Sequence, residues 1–368
     1  MASWLKDLWA GFLVGVANII PGVSGGTLLL VLGMYERVIG LLSGFKASSG
    51  IKLLHHGSGF LFSSRRKDHL HGFIQTAKAL DLLFLTRVLL GTAGAILLLS
   101  GLMKFLLEKQ FSNTYAFFFG LIVISTLISV RMLKTRKLVH LLHFAVGAVL
   151  TVAISASVNP AENARVKSEH YKNISESNSA HPTAQNAVVE SSRFKYLGHY
   201  SVGEFSMSAA SGAVSVSAMI LPGISGSLVL ILMNQYYEVI SAVSGLKSLQ
   251  LDYILFLGLF GGGMVAGLLL FARLVNFVFR RFHDSTMALL IGLMAGSLYA
   301  LWPFKKAVVM DQYVRTSEGI SLVENAVVYT NINILPQDLW SLLSAVILCA
   351  AGAGIMVLLG KYEVKTST

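Results

Sequence analysis

Long apolar segments follow one another along most of the chain, with short polar loops between them. Six of these segments are uninterrupted and long enough to cross a bilayer, since about 20 apolar residues suffice for one crossing. Two more, 4–44 and 204–245, are each broken in the middle by a Pro-Gly pair. The pattern predicts an all-α polytopic membrane protein, whose six uninterrupted spans are 82–107, 115–131, 138–157, 252–279, 286–304 and 338–359.

Each interrupted segment is predicted to form two helical pieces joined by an unwound turn. Pro21 and Pro222 each remove a backbone hydrogen bond and clash with the preceding helical turn, so a continuous helix cannot pass through them. Unwound backbone at membrane depth is tolerated only where protein or a water-filled cavity surrounds it. We therefore expect two broken hairpins, re-entrant or fully spanning, with their turns inside the protein.

The second half of the sequence repeats the first. A shift of 201 positions aligns Pro21 with Pro222 and gives 13 identical residues in the 34 positions from Gly11 to Gly44, without a gap. Each half is then a broken hairpin followed by three spans. A hairpin returns the chain to its starting side and three spans leave it on the other side, so the second half starts from the opposite face.

This count of membrane crossings predicts two inverted-topology repeats. Many secondary transporters have this architecture, and their substrate site lies at the broken helices. The first repeat is 1–157, the second is 204–360, and a polar loop at 158–203 joins them. We expect this loop to have little regular structure, because it is rich in Ser, Asn and Ala without clear periodicity.

The basic residues indicate the orientation of the repeats. Loop 45–80 carries six basic residues and one acidic residue, loop 131–137 carries four basic residues and no acidic one, and loop 158–204 balances five against five. Because positively charged loops stay in the cytoplasm, this pattern predicts cytoplasmic termini, a cytoplasmic basic loop at 45–80 and a periplasmic loop at 158–203. We therefore expect a multi-pass protein of an inner membrane.

Composition narrows the function classes. Hydrophobic residues make up 54% of the chain and charged residues 13%, with a mean hydropathy of +0.68, whereas soluble domains average about 25% charged residues. The net charge of +11 is explained by orientation signals, so no nucleic-acid partner is expected. Cys349 is the only cysteine, and the histidines have no spacing that favours a metal site, so we expect neither metal nor cofactor.

The two Pro-Gly-x-Ser-Gly turns carry the candidate binding chemistry. After each proline a half-helix restarts, and its first backbone N–H groups lack partners within the helix. These donors, the helix dipole and nearby hydroxyls favour an anion; alternatively, the small residues only let the half-helices pack closely. The duplication favours a binding site, for which the candidates are Gly22, Ser24, Gly25, Gly26, Thr27, Gly223, Ser225, Gly226 and Ser227.

Charged residues inside apolar segments are further candidates, because such positions are often functional. Arg87 is the preferred phosphate partner, since a guanidinium matches phosphate geometry, although it could also extend to the cytoplasmic face. Arg273 could bind phosphate or anchor its helix at the interface. The remaining candidates, Glu36, Arg37 and Glu238 at the hairpin ends, could instead form local ion pairs or face solvent.

The PGVSGGT turn, Tyr35-Glu36 and the second turn PGISGS resemble the polyprenyl-phosphate (undecaprenyl phosphate) transporter family, and the resemblance covers nearly the whole chain outside 158–200. It implies translocation of undecaprenyl phosphate from the outer to the inner leaflet for recycling in cell wall biogenesis, without enzymatic activity. Ser227 and Leu228 replace Gly26 and Thr27 in the second turn, so the two halves need not contact the headgroup equally.

Two other functions remain open at the level of sequence. A channel or secondary transporter for a small soluble anion could use the same half-helix ends. A membrane lipid-phosphate phosphatase would need a nucleophilic histidine, a base and cationic ligands at fixed offsets, a set that this sequence lacks. An apolar groove opening sideways into the bilayer would favour a lipid. The energy source, the polyprenyl length and the existence of a homo-oligomer are not determined by the sequence.

Overall fold

The computed structural model describes residues 3–19, 24–62, 66–135, 137–179, 200, 202–245, 251–316 and 319–364. Helices dominate this described part. The first half contains α1 (Ser3–Ile19), α2 (Gly25–Val31), α3 (Tyr35–Gly44), α4 (Ala47–Phe62), α5 (Arg66–Ala79), α6 (Leu82–Lys109), α7 (Phe111–Val130), α8 (Leu138–Ser157) and α9 (Pro160–Ser179). The second half contains α10 (Val202–Ile220), α11 (Gly226–Leu232), α12 (Tyr236–Gly245), α13 (Leu251–Arg281), α14 (His283–Ala300), β1 (Lys305–Thr316), β2 (Gly319–Asn333) and α15 (Leu339–Val364).

Five helical stretches within the described ranges are long and apolar enough to cross a membrane, and a sixth is added if the bent pair α2–α3 counts as one span. They are α6, α7, α13, the main part of α15 and the stretch Leu138–Val166 that begins with α8. The predicted span 286–304 corresponds to α14, which is not among these five. Its first turn begins with His283 and Asp284, which lowers its mean apolarity.

Three segments outside the spans hold more regular structure than the sequence predicted. The antiparallel hairpin β1–β2 corrects the all-α expectation, and its Val, Ile and Tyr content explains the strand conformation. Loop 158–203 is not structureless, because it begins with helix α9, which packs on the hairpin through the backbone N–H of Tyr313 and Ser168 Oγ at 2.8 Å. Loop 45–80 forms the paired helices α4 and α5.

The long helices associate in four pairs, α1 with α6, α10 with α13, α8 with α14, and α7 with α15. Glycines bring the backbones of each pair close together. A Cβ added to Gly11 of α1 would lie 2.1 Å from the carbonyl oxygen of Val88, and one added to Gly120 of α7 would lie 1.9 Å from that of Cys349. Packing of this kind depends on small residues, as is common between helices in membranes.

Three of these pairs run parallel, because their contacts advance in the same direction along both helices. In α1–α6, Asp7 pairs with Arg87 near the start of both helices, and Gly15 meets Thr92 further on. In α10–α13, the Ser208 hydroxyl bonds to Phe256 and the Ser217 hydroxyl to Gly267. In α8–α14, His140 lies beside Ser285 and Gly296 meets Ala148.

The hairpin elements follow the repeat seen in the sequence. Helices α2 and α3 cover 25–31 and 35–44, and helices α11 and α12 cover 226–232 and 236–245, so the shift of 201 positions also relates the helix bounds. The pairings α7–α15 and α8–α14 each join one helix of the first half to one of the second. The two halves are therefore interleaved rather than packed as separate domains.

Candidate functional site

The two broken turns lie against each other. The Ser24 hydroxyl is 3.2 Å from the carbonyl oxygen of Leu221 and 3.4 Å from that of Met219, at the end of α10. Gly26 is pressed against the same segment, since an added Cβ would lie 2.8 Å from the carbonyl oxygen of Ile220. The predicted site residue Gly22 falls at 20–23, outside the described residues.

Protein groups occupy the donors of the first turn. The backbone N–H of Gly25 donates to Asn18 Oδ1 at 3.0 Å, that of Gly26 to Ser24 Oγ at 3.2 Å, and that of Thr27 to the Ser24 carbonyl at 2.9 Å. Ser24 is the N-cap of α2, and Ser24, Gly25, Gly26 and Thr27 are all buried. In the part of the first turn that the structure describes, the N–H groups of Gly25, Gly26 and Thr27 are therefore already bonded within the protein.

The second turn is more open. The hydroxyls of Ser225 and Ser227 are 2.8 Å apart, and Ser227 is exposed. Gly223 has a φ of +85°, a conformation that favours glycine, and an added Cβ would lie 2.5 Å from the carbonyl oxygen of Leu293 in α14. Gly226 is the only buried residue of α11. Ser227 is exposed and its hydrogen-bonded partner Ser225 is partly buried, whereas Ser24 is buried.

Ion pairs surround the start of α3, where Glu36 and Arg37 lie in the first turn rather than at the end of the hairpin. Arg37 holds Asp81 through Nε at 3.0 Å and Nη2 at 2.5 Å, and its guanidinium lies 3.7 Å from the centroid of the Phe84 ring. Glu36 contacts His283 Nε2 at 3.3 Å. Sequence reasoning identified both hairpin residues but neither partner, because each partner belongs to a distant segment.

A neighbouring carboxylate, Asp284 at the start of α14, joins this region to the loop between α7 and α8. It accepts hydrogen bonds from the Thr135 hydroxyl at 2.5 Å and from the backbone N–H groups of Lys134 and Thr135. These bonds, with that from the Thr135 hydroxyl largest and one from His283 next, hold the pKa of Asp284 well below its usual range. The carboxylate therefore stays ionised and keeps this loop attached to α14.

Two further candidates lie in the second half of the sequence. Arg273 of α13 donates to the carbonyl oxygens of Phe45 at 2.9 Å and Ser43 at 3.4 Å, which places a positive charge at the negative end of the α3 dipole. The role visible here is an anchor for the first hairpin. Glu238, in the first turn of α12, is partly buried.

Arg87 lies beside an apolar groove. Its Nη1 is 3.2 Å from Oδ2 of Asp7, a nearly buried carboxylate that sequence reasoning missed, and 36% of the Arg87 side chain remains exposed. One helical turn further along α6, a groove of about 390 Å³ opens between α1 and α6. Its walls are apolar, formed by Leu5, Leu8, Trp9, Phe12, Leu90, Gly91 and Gly94.

These long apolar helices define a multi-pass membrane protein. The profile of the undecaprenyl phosphate translocase-like family matches residues 14–320, and the chain belongs to that family. It is 29% identical to the polyprenyl-phosphate transporter of Vibrio cholerae serotype O1 over 99% of this chain and 98% of the relative. The polyprenyl-phosphate transporter of Staphylococcus aureus is 26% identical over 82% of this chain and 87% of its own. No solved structure matches the chain significantly.

Proposed function

We propose that this protein moves undecaprenyl phosphate from the outer to the inner leaflet of the bacterial cytoplasmic membrane, which recycles the lipid carrier of wall polymers. Family membership and the names of both relatives support a lipid phosphate over a small soluble anion and over phosphatase chemistry. The structural observation that carries the proposal is the junction of the two broken turns, where the Ser24 hydroxyl meets the Leu221 carbonyl across 197 positions of sequence.

An inverted repeat agrees with the helix directions. Because α1 and α6 run parallel, both start on one side, and the hairpin between them must return the chain to that side. If α6, α7 and α8 cross in alternation, α8 runs in the same direction as α6. Helix α14 is parallel to α8, so α13, which precedes α14 in the chain, runs in the opposite direction. Helix α10 is parallel to α13 and therefore also runs in the opposite direction. The first hairpin thus enters from one face and the second from the opposite face.

The phosphate is proposed to bind at this junction, chiefly through the second turn. The Ser225 and Ser227 hydroxyls are hydrogen-bonded to each other at 2.8 Å, with Ser227 exposed and Ser225 partly buried, and both would turn to donate to one anion. The first turn already uses the N–H groups of Gly25, Gly26 and Thr27 within the protein. It would supply donors only after its contacts with Asn18 and the end of α10 loosen, so the two turns would act in different conformations.

The difference in burial supports the proposed direction. With cytoplasmic termini, the first hairpin enters from the cytoplasm and the second from the periplasm. The first hairpin is held by Arg37–Asp81, Glu36–His283 and the Arg273 contacts, whereas α11 buries only Gly226. This conformation is then closed towards the cytoplasm and open towards the outer leaflet, where the substrate lipid is collected.

Arg87 is proposed to receive the phosphate on the inner side. In the inferred orientation it lies at the cytoplasmic end of α6, and the apolar groove beside it faces the inner leaflet. A polyprenyl chain in that groove would place its phosphate near the guanidinium, which forms paired hydrogen bonds with phosphate oxygens. Asp7 would hold Arg87 in place until the phosphate arrives and would favour release afterwards.

The direct test measures undecaprenyl phosphate in the outer leaflet of cells with and without this protein. Depletion of the protein should cause the lipid to accumulate outside, and an unchanged outer-leaflet level would contradict the proposal. Proteoliposomes that contain either undecaprenyl phosphate or inorganic phosphate separate the two substrate classes. Transport of inorganic phosphate without lipid movement would favour the soluble-anion transporter instead.

The topology has its own test. In a Cys349→Ser background, Ser48→Cys at the start of α4 and Ser175→Cys in α9 should react with a membrane-impermeant thiol reagent from opposite sides. Ser175→Cys should react in intact cells, and Ser48→Cys only after the membrane is permeabilised. Reaction of both positions from the same side would rule out the inverted repeat.

A further inference from the structure

Three histidines converge between α4 and α5, away from the turns and from Arg87. His55 and His56 lie on α4 and His69 lies on α5, and one ring nitrogen from each lies within 4.8 Å of the others. Their spacing along the sequence gave no indication of a metal site, because the helical pairing that joins them spans 13 positions. The transport function uses none of the three.

The rings form a nearly regular triangle. Their centroids are 5.5 Å apart for His55–His56, 5.5 Å for His55–His69 and 5.9 Å for His56–His69. Three imidazoles around tetrahedral Zn²⁺, with Zn–N lengths of about 2.0–2.1 Å, have nitrogens about 3.4 Å apart and ring centroids about 5.2 Å apart. The observed centroid spacings therefore exceed those of such a site by less than 1 Å.

The environment of His56 points to a ligand as well. Its Nδ1 is buried and has no hydrogen-bond partner among the residues that the structure describes. The ring packs on Gly72 of α5, where an added Cβ would lie 2.5 Å from a ring carbon. A buried nitrogen without a partner is costly. Coordination of a metal ion by Nδ1 would satisfy this nitrogen. If the ring flips, Nε2 would take its place and could coordinate the ion instead.

We propose that His55, His56 and His69 bind one Zn²⁺ ion per chain. Imidazole nitrogens suit late transition metals such as Zn²⁺ rather than Mg²⁺ or Ca²⁺, which prefer oxygen ligands. Three protein ligands leave the fourth tetrahedral position to water. The ion links α4 to α5 and so fixes the helical segment that connects the first hairpin to α6.

The test uses the full-length protein, purified in detergent without a histidine tag and stripped of metal with a chelator. Competition titration with Zn²⁺ and a coloured chelator should give one site per chain. His55→Gln, His56→Gln and His69→Gln should each weaken binding about 100-fold or more, since even changes beyond the direct ligands cost 10–100-fold. His71→Gln is the matched control, because His71 is exposed on the same helix but outside the triangle, and it should bind as the wild type does.

A cysteine variant separates lost coordination from misfolding. His69→Cys supplies a thiolate, itself a Zn²⁺ ligand, and should restore binding that His69→Gln loses; Co²⁺ bound to this variant should show a sulfur charge-transfer band absent from the wild type. Loss of binding in His69→Cys, absence of a stoichiometric site in the wild type, or equal loss in His71→Gln would each overturn the proposal. None of these measurements depends on transport.

Discussion

The two broken turns have nearly the same sequence but different surroundings. In the first, Ser24 caps α2, and Gly25, Gly26 and Thr27 are buried with most of α2. In the second, Ser225 makes no cap bond, and α11 buries Gly226 alone. The two motifs therefore precede short helices of equal length, α2 and α11, while the surroundings of each determine how far it is buried.

One position accounts for much of the difference. Asn18 accepts the N–H of Gly25 through Oδ1 at 3.0 Å, and the shift of 201 positions places Met219 at the corresponding site of the second repeat. A thioether is a weak acceptor, so Gly226 lacks an equivalent side-chain bond. Two repeats with the same motif can thus differ in the hydrogen-bond partners of their turns.

The largest expected effect comes from adding bulk to the buried turn. Gly26→Val should lower the free energy of unfolding by about 3 kcal/mol, because its Cβ would meet the carbonyl oxygen of Ile220 at 2.8 Å. The corresponding residue of the second turn is Ser227, which is exposed, and Ser227→Val should change stability by about 0.5 kcal/mol at most. Thermal unfolding in detergent measures both, and equal destabilisation would remove the distinction between closed and open turns.

The next effect concerns Arg87, the partner of Asp7. The second repeat has no charged counterpart to Asp7, since Ser208 occupies that position. Arg87→Lys should reduce transport per inserted molecule about 10- to 100-fold, because a lysine cannot form the paired bonds worth about 1.5–3 kcal/mol. Arg280→Lys, an exposed change on α13, is the control. Full transport by Arg87→Ala would mean that Arg87 only extends to the membrane surface.

A third comparison removes hydroxyls from each turn. The double variant Ser225→Ala with Ser227→Ala should weaken headgroup binding about tenfold and leave stability unchanged, since each lost hydrogen bond costs about 1 kcal/mol. Ser24→Ala should do the reverse, lowering stability by about 1 kcal/mol through loss of the helix cap while sparing transport per folded molecule. If Ser24→Ala instead impairs binding in well-folded protein, the first turn contacts the phosphate directly.

The smallest expected effect exchanges the residues at the distinguishing position. Met219→Asn should give the N–H of Gly226 an acceptor and weaken headgroup binding about fivefold, corresponding to one hydrogen bond of about 1 kcal/mol. Asn18→Met should free the N–H of Gly25 and reduce stability by a similar amount. Binding of a water-soluble short-chain polyprenyl phosphate, measured by calorimetry, tests both variants, and binding unaffected by Met219→Asn would show that this position does not control the second turn.

The sequence predicts the parts of the fold that depend on local physics. Pro21 and Pro222 mark the breaks, apolar length marks the spans, and the repeated motif marks corresponding elements. The family resemblance is confirmed by the profile match. The strands β1 and β2 were not predicted, because a search for long apolar runs does not detect segments whose apolar residues are interrupted by charged and polar ones.

Long-range pairings could not be predicted, because they depend on how helices pack. Asp7 and Arg87 are 80 positions apart, and Arg273 reaches Phe45 across 228 positions. The convergence of His55 with His69 follows from the pairing of α4 with α5, which a polar, basic sequence did not suggest. The sequence therefore identifies candidate residues by their type, while the packing of the helices determines which of them already have a partner within the protein.

The glycine contacts between paired helices also have a mechanical consequence. Backbones that touch at Gly11, Gly120 and Gly147 leave no side-chain layer that could rearrange, so each two-helix unit is stiff. We then expect displacement at the seams between units, where larger side chains such as Leu30 and Leu293 belong to one apolar cluster. The junction of the two turns lies on such a seam. We therefore expect a small rotation of one stiff unit against another to displace the proposed phosphate site by a similar amount.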